Sequence, residues 1–193
     1  MNVRSRESLA RRRVLETASA LFYAEGVHAV GIDRIIAEAG VAKATFYHHF
    51  PAKDELVRGY LDEEYRRQRT ALEAVRHDAP GPREALLRIF DLLVSNAANP
   101  KFRGCPFTNA AAEYPDPTHP VRQTIADYRR WNRGFFRDLL ADAGHPEPDS
   151  AAMILMMLRD GIVVGGDLDD PDTLHPHARE AVTRILGIAN ASA

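Results

Sequence analysis

Residues 31–56 read GIDRIIAEAGVAKATFYHHFPAKDEL, and this stretch decides the fold. Its apolar spacing predicts two short helices, at about Asp33–Ala39 and Lys43–His49, with a three-residue turn between them. Gly40 opens the turn, where glycine permits a positive φ angle, and Val41 can fill the angle between the helices. The stretch therefore predicts a helix-turn-helix.

The second of these helices has two distinct faces. Phe46 and Phe50 lie one turn apart and form an inward wedge with Ile35 and Ile36. The remaining side chains, which we expect to point outward, are Lys43, Ala44, Thr45, Tyr47 and His48. This face suits a helix that enters the major groove of DNA, because it offers a cation, a hydroxyl, a phenol and an imidazole among small residues.

Each outward residue has a chemical role in that interpretation. Lys43 can donate to guanine O6 or N7, Thr45 can hydrogen-bond or contact a thymine methyl, and Ala44 permits close approach. The residues better placed for phosphate oxygens are Tyr47, His49 and Lys53. The alternative is that the two helices only pack, with Tyr47, His48 and His49 as ordinary surface.

The same segment resembles the TetR family of transcriptional repressors. The positions that match its N-terminal signature are Ile35, Ala39, Gly40, Val41, Thr45, Phe46, Tyr47, His49, Phe50, Lys53 and Leu56. The resemblance covers about residues 9–57, and the rest of the chain only by its helical layout. It implies an all-α homodimer whose third helix reads an inverted-repeat operator on double-stranded DNA.

The chain departs from that signature near the starts of both helices. Val30 and Gly31 stand where a threonine and a capping hydroxyl are usual, Ala42 replaces the common serine, and Ala44 replaces glycine. Loss of each hydroxyl cap costs roughly 0.5–2 kcal/mol. Phosphate contacts at Gly31 and Ala42 then come from backbone N–H groups. We expect compensation from the arginines of the basic start, which are Arg4, Arg6, Arg11, Arg12 and Arg13.

Helical periodicity continues through the chain, and no convincing strand pattern appears. We predict an all-α protein of about nine helices, with a helix-turn-helix DNA-binding domain at 1–52 and an effector-binding and dimerisation domain at 53–193. The other helices are predicted at about 9–25, 53–76, 83–98, 107–113, 120–143, 149–164 and 177–191. Gly165, Gly166 and Asp167 are predicted to form a loop.

The last two predicted helices combine small and aliphatic residues, which suit a four-helix dimer interface. In TetR-like proteins, the corresponding helices pair with a second subunit. The resemblance therefore implies a homodimer through these helices. The alternative is that they only close the core of a monomer.

Residues 102–114, FRGCPFTNAAAEY, are similar to a motif that one TetR subgroup has beside its effector pocket. Cys105, Asn109 and Glu113 are spaced four apart, so one helix face would bring a thiol, an amide and a carboxylate to an apolar cavity. Further candidates for the wall of this small-molecule site are Phe90, Val94, Tyr128, Trp131, Asn132, Phe135, Met153, Met156 and Met157.

Simpler interpretations of these residues stay open. Aromatic and methionine side chains at helical spacing fit an ordinary core, and Asn109 can cap or cross-link helices. Glu113 can pair with Arg129 or Arg133 at the surface. No partner for a reactive Cys105 is visible near it in the sequence.

Composition excludes several classes of protein. The chain has 193 residues, 45% hydrophobic and 27% charged, which is enough to bury a core without disulfides or a metal. A single cysteine and no run long enough to span a membrane favour a soluble, cytoplasmic protein. No nucleophile with a base, metal-ligand spacing or phosphate-binding glycine loop is present, so we predict no catalytic residues, metal or cofactor.

Two functions remain after these exclusions. The preferred one is a ligand-responsive transcriptional regulator, a repressor that a small-molecule effector releases from DNA. The alternative is a helical small-molecule-binding module, or an enzyme, whose helix-turn-helix is vestigial.

Overall fold

The computed structural model describes residues 3–187, and the side chains of all of these except 3–8, 171 and 172. Within this range the chain forms nine α-helices and no strand. The helices are α1 (Val3–Glu25), α2 (Ile32–Ala39), α3 (Lys43–His49), α4 (Lys53–Asp78), α5 (Pro82–Ala97), α6 (Pro106–Glu113), α7 (Pro120–Asp142), α8 (Pro148–Leu168) and α9 (Pro171–Ile185). None of the described helices is long and apolar enough to cross a membrane.

The turn between α2 and α3 depends on glycine. Gly40 has φ 60° and ψ 45°, in the left-handed region that a side chain disfavours. The Gly40 and Val41 N–H groups donate to the carbonyl oxygens of Ala37 (3.2 Å) and Ile36 (3.3 Å), which closes the end of α2. The turn forms as the sequence predicts.

The predicted wedge is largely buried. Ile35, Phe46 and Phe50 are at most 2% exposed, while Ile36 and Val41 are half-buried. Other buried residues beside them come from α1 and the start of α4, and they include Val14, Ala18, Leu21, Phe22, Leu56 and Leu61. These apolar contacts fix α3 with one face inward and leave the other accessible.

The chain divides into two compact units. The head unit contains the residues up to 66 together with 106–126, and the body unit contains 67–105 together with the residues from 127 onward. The head unit thus includes α1–α3 and α6. The functional boundary predicted at residue 52 stays a prediction.

The body unit has its own apolar core, in which α5 packs against α8 and α9. Its members include Leu86, Phe90, Phe136, Leu140, Leu155, Met156 and Val182. Gly166 of α8 lies against Ala97 of α5, so closely that a Cβ atom at this position would overlap the Ala97 methyl group. The close approach explains why glycine stands there.

Two predicted boundaries in the body unit are wrong. Gly165, Gly166 and Asp167 are not a loop but belong to α8, because packing against α5 offsets the low helix propensity of glycine. The last helix begins at Pro171 instead of His177 and contains Pro176. Proline is favourable at the first position of a helix, where its missing N–H costs nothing. The predicted end of this helix, 188–191, lies outside the described residues.

Candidate nucleic-acid interface and effector site

Helix α3 presents the predicted reading face. Lys43, Ala44, Tyr47 and His48 are exposed, and Thr45 is half-buried. The ring of Tyr47 is 41% exposed and meets the buried ring of Phe46 edge-on, with 5.2 Å between ring centroids. The predicted residues therefore share one accessible surface that carries donors, acceptors and a methyl group.

Lys43 already has a partner in the head unit. Its Nζ donates to Oδ1 of Asp33 at 3.0 Å, and this hydrogen bond raises the pKa of Lys43. Both side chains are mostly exposed to solvent, so water screens the pair and it contributes little to stability. Lys43 can exchange this partner for a guanine acceptor and stays charged when it does.

The two residues predicted for phosphate contact at the base of α3 are less accessible. His49 is half-buried, and its Nε2 has no hydrogen-bond partner among the described residues. Lys53 opens α4 with its Nζ 6.0 Å from the centroid of the Phe22 ring, and burial lowers its pKa. Phosphate contact by His49 and Lys53 stays a prediction, since the His49 Nε2 atom is buried and the Lys53 side chain is partly buried beside α1.

The starts of α2 and α3 have no side-chain caps. Gly31 and Ala42 occupy the N-cap positions in extended conformation, and neither provides a side-chain hydrogen bond to the first turn. The absence of side-chain caps agrees with the sequence, where Gly31 and Ala42 stand in place of the usual capping hydroxyl residues. The N–H groups at a helix start attract anions, so backbone contact with phosphate is chemically available at Gly31 and Ala42.

The other described cations of the head unit differ in how far they are neutralised. Arg34 donates to both oxygens of Glu25, at 2.6 and 2.8 Å, and to Glu38 at 2.7 Å. Arg11, whose guanidinium carbon lies 5.2 Å from the centroid of the Phe50 ring, is exposed. Arg12 and Arg13 are also exposed, but Arg12 pairs with Glu16 at 3.5 Å and Arg13 donates to the carbonyl oxygen of Gly40 at 3.3 Å. The side chains of Arg4 and Arg6, predicted to reach DNA, lie outside the described residues.

A buried polar cluster lies in the body unit. Arg159 of α8 is only 3% exposed, and its Nη2 donates to the hydroxyl of Tyr128 at 2.8 Å and to the Cys105 sulfur at 3.3 Å. Its Nη1 donates to Oδ1 of Asp160 at 2.8 Å. Arg129 also binds Asp160, at 2.7 Å. The buried guanidinium thus has the charged and hydrogen-bonded partners that burial requires.

The hydroxyl of Tyr128 is the centre of this cluster. It donates to Oε1 of Gln68 at 2.6 Å and accepts from Nδ2 of Asn132 at 3.1 Å, besides the bond from Arg159. Burial raises the pKa of Tyr128 to about 12, so the phenol stays protonated at neutral pH. Asn132 is 1% exposed, and its Oδ1 has no partner within the described part of the chain. Such an acceptor is suited to a donor group that is not part of the protein.

Other predicted effector residues lie elsewhere in the body unit. Phe90, Val94, Phe135 and Met156 belong to the apolar core, and Trp131 packs against it partly exposed. Met153 and Met157 are 45% and 61% exposed. The prediction that these two methionines line an interior wall is wrong for the single chain, because they lie on the outward face of α8.

Helix α6 also differs from expectation. Asn109 is exposed, and Cys105 precedes the helix instead of lying within it. The carboxylate of Glu113 accepts the N–H groups of Val27 (2.7 Å) and His28 (2.6 Å), in the turn after α1. Glu113 therefore supports the fold of the head unit.

Comparisons with known proteins agree with this geometry. Residues 14–60 match the family described as bacterial regulatory proteins, tetR family, and residues 82–182 match the tetracyclin repressor-like C-terminal domain. The second match alone covers more than half of the chain. The chain belongs to the TetR family.

Individual TetR relatives support the assignment along most of the chain. The HTH-type transcriptional regulator LmrA of Bacillus subtilis is 28% identical over 164 residues, which are 80% of this chain and 85% of LmrA. The structure of SCO4454, a TetR-family regulator from Streptomyces coelicolor, is 42% identical and covers 93% of this chain and 95% of its own, with a TM-score of 0.89. The HTH-type transcriptional repressor KstR2 of Mycobacterium tuberculosis is 37% identical over 68 residues. These residues are 33% of this chain and 34% of KstR2.

These relatives are transcriptional regulators and not enzymes, which confirms the predicted class of this TetR-family chain. Among residues 3–187, no group of three His, Cys, Asp or Glu side chains is placed to hold a metal ion.

The sequence pattern did not identify the charged residues of the buried polar cluster in the body unit. Arg159 was the available signal, since it stands at a helix position in phase with the buried Leu155, Ile162 and Val163. A charged residue on an apolar stripe must have partners. Two of its partners, Tyr128 and Cys105, are far away in sequence and carry no local signal of this contact.

Proposed function

We propose that this TetR-family regulator is a repressor that binds a near-palindromic operator as a homodimer and leaves it when a small-molecule effector binds. The observation that carries the proposal is the accessible face of α3, with Lys43, Ala44, Thr45 and Tyr47 turned away from a buried wedge. The name of the relative KstR2, a repressor, favours repression. Such a protein would act in the cytoplasm, where the chromosome is.

A dimer explains how one short helix can specify an operator. Two copies of α3 about 34 Å apart would enter successive major grooves, and the two-fold symmetry of the protein would match that of the DNA. We assign the pairing surface to the last two helices. α8 supplies exposed apolar side chains, whereas α9 uses Ala178 and Val182 for the core of its own chain.

We assign effector binding to the body unit, at the polar cluster of Tyr128, Asn132, Cys105 and Arg159. The open acceptor of Asn132 supports this assignment, because a ligand with an N–H or O–H group would complete it. The buried aromatic residues Phe90 and Phe135 lie in the adjoining core helices α5 and α7. A ligand that binds the released form more tightly by 1–3 kcal/mol would weaken DNA binding roughly 5- to 150-fold.

The proposal is tested by selecting binding sites from random or genomic DNA with the purified protein. We expect recovery of an inverted repeat whose half-sites are about one helical turn apart. Lys43→Ala should weaken binding to that site by about 5- to 100-fold and relax base preference at one position in each half-site. Tyr47→Ala should weaken binding across sequences.

Lys101→Ala is the matched control, since Lys101 is an exposed cation of the body unit. It should leave operator affinity unchanged. Wild-type affinity in both α3 variants would refute the assignment of the reading face. Failure of the wild-type protein to bind any DNA at low salt would favour the alternative, a ligand-binding module with a vestigial helix-turn-helix.

A further inference from the structure

An acidic residue lies beside the reading face of the head unit. Asp33 stands in the first turn of α2, and its Oδ1 atom accepts a hydrogen bond from Nζ of Lys43 at 3.0 Å. Lys43 is the first residue of α3, so this pair joins the starts of the two helices of the helix-turn-helix. Because phosphate repels a carboxylate, an anion at this place on a DNA-binding surface requires an explanation.

The surroundings of Asp33 point to Lys43 as the reason for its presence. Arg34, the next residue along α2, donates to Glu25 and Glu38. The Asp33 and Lys43 side chains are 84% and 65% exposed, so their ion pair adds little to the stability of the fold. The contact therefore matters more for where it holds the Lys43 ammonium group than for how firmly it holds the two helices together.

We propose that Asp33 is a positioning residue for DNA recognition, which holds Lys43 away from phosphate and leaves it available to a guanine base. This inference rests on the proposed function, in which α3 binds an operator, and it adds a determinant of specificity outside α3. Asp33 acts through Lys43 in this mechanism and needs no contact of its own with the DNA.

The ammonium group of Lys43 can serve two partners at once. It has three N–H donors, and Asp33 takes one of them. The other two suffice for the O6 and N7 acceptors of one guanine, so Lys43 can contact a base without giving Asp33 up. A phosphate oxygen would instead bring a second anion close to Asp33, and the two anions repel each other. The pair thus favours a neutral acceptor over a charged one.

This preference should weaken binding to unrelated sequences more than binding to the operator. Non-specific binding comes almost entirely from cations that neutralise phosphates, and a lysine that is already paired with a carboxylate contributes little to it. Specificity is the difference between two binding free energies, so a penalty on unrelated DNA increases it without any new contact to the operator. In a dimer the penalty applies twice, once in each subunit.

A purely structural role for Asp33 leads to different expectations. Its carboxylate lies in the first turn of α2, near the positive end of the helix dipole, where an anion stabilises a helix. If this were its only role, removal of the charge would lower the melting temperature of the protein. It would leave the salt dependence of DNA binding unchanged.

The informative change is Asp33→Asn, which keeps the size of the side chain and removes its charge. Affinity for a random-sequence duplex is measured at several salt concentrations, because each phosphate that a protein neutralises changes the slope of log K against log salt by about −0.9. Lys43 released in both subunits should make this slope more negative by about 2 and strengthen binding at low salt by about 10-fold. Affinity for the operator recovered by selection should change by less than about 3-fold, so the specificity ratio should fall.

The matched control is Glu38→Gln, which removes the same charge from the same helix. Glu38 pairs with Arg34, and Arg34 keeps its two bonds to Glu25 when Glu38 is changed. This control should retain the wild-type slope and affinities. Asp33→Glu, which keeps the charge, should lie closer to the wild type than Asp33→Asn does.

A double variant shows whether the effect passes through Lys43. Asp33→Asn combined with Lys43→Ala should return the slope for random-sequence DNA to the wild-type value, because no released lysine remains. A wild-type slope in Asp33→Asn, an equal change in Glu38→Gln, or a double variant as steep as Asp33→Asn alone would each overturn the inference. If the wild type still selects an operator, these results leave the proposed function intact. A wild type that binds no DNA at low salt would overturn both.

Discussion

Glu113 provides a quantitative test of what holds the head unit together. Its carboxylate oxygens accept the N–H groups of Val27 at 2.7 Å and His28 at 2.6 Å, across 86 and 85 residues of sequence. Val27 is 2% exposed, so water cannot readily replace the carboxylate at its N–H group. The informative change is Glu113→Ala, which removes both acceptors and keeps α6 helical.

The expected loss follows from the two bonds. A hydrogen bond to a charged group contributes about 1.5–3 kcal/mol, and a buried N–H left unpaired costs about 1–3 kcal/mol. The Val27 bond is partly buried and should count fully, whereas the His28 bond is exposed and should contribute less. We therefore expect Glu113→Ala to destabilise the head unit by about 2–4 kcal/mol. Glu113→Gln, which keeps one acceptor, should cost about half as much.

Hydrogen exchange measures this effect where it arises. The amides of Val27 and His28 should exchange about 30-fold faster or more in Glu113→Ala, since about 1.4 kcal/mol corresponds to a factor of ten. The matched control is Glu73→Ala, an exposed glutamate on α4, which should leave both amides unchanged. Exchange rates in Glu113→Ala within a factor of two of wild type would refute the structural role assigned to Glu113.

Two further predictions concern the turn and the buried cluster. Gly40→Ala should destabilise the protein by about 1–2 kcal/mol in thermal unfolding, because alanine disfavours φ 60°. Gly40→Asn should destabilise it less. Equal stability of the wild type and both variants would contradict the role of the glycine. Burial acts to raise the pKa of Asp160, but hydrogen bonds and charge from Arg129 and Arg159 outweigh it and leave the pKa lowered. The stability that Asp160 adds is therefore complete above its ordinary pKa of about 3.9 and is lost as the pH falls through the lower folded value. In urea unfolding, the gap between wild type and Asp160→Asn should shrink between pH 7 and pH 3, and a constant gap would show that the ion pair does not contribute.

Local pattern was sufficient to predict the reading helix. α3 runs from Lys43 to His49 in the structure, as predicted, because three local signals coincide there. Gly40 ends one helix, the spacing of Phe46 and Phe50 gives the next its inward face, and Pro51 prevents its continuation. When helix capping, hydrophobic periodicity and chain-breaking residues all indicate the same helix, tertiary contacts rarely change its bounds.

Local pattern failed where helix packing decided the outcome. Gly165 and Gly166 are typical of a loop, yet both are helical, and Gly166 packs closely against Ala97 of α5. The roles of Glu113 and Arg159 also depend on partners more than 30 residues away. A carboxylate beside a predicted pocket has the same sequence pattern whether it binds a ligand or a backbone turn.

The bonds of Glu113 also limit how a signal can pass through the head unit. Breaking them costs about 2–4 kcal/mol, whereas coupling between an effector and DNA is typically 1–3 kcal/mol. α6 is therefore more easily moved together with the turn at Val27 than away from it. Next along the chain, the Tyr114 hydroxyl donates to Oδ1 of Asp54 at 2.9 Å, in the first turn of α4. Burial and this hydrogen bond raise the pKa of Tyr114, so the donor persists across the neutral range.

These two attachments lie on either side of the reading helix in sequence, at Val27 before α2 and at Asp54 after α3. A displacement of α6 acts on both sides at once, so it turns α2 and α3 as one piece and leaves the angle between them unchanged. The buried contacts of Ile35 and Phe46 oppose any change in that angle. It follows that an effector acting through α6 would change the spacing of two intact reading helices and would not unfold either one. Hydrogen exchange in α2 and α3 should then be the same with and without effector, while operator affinity falls.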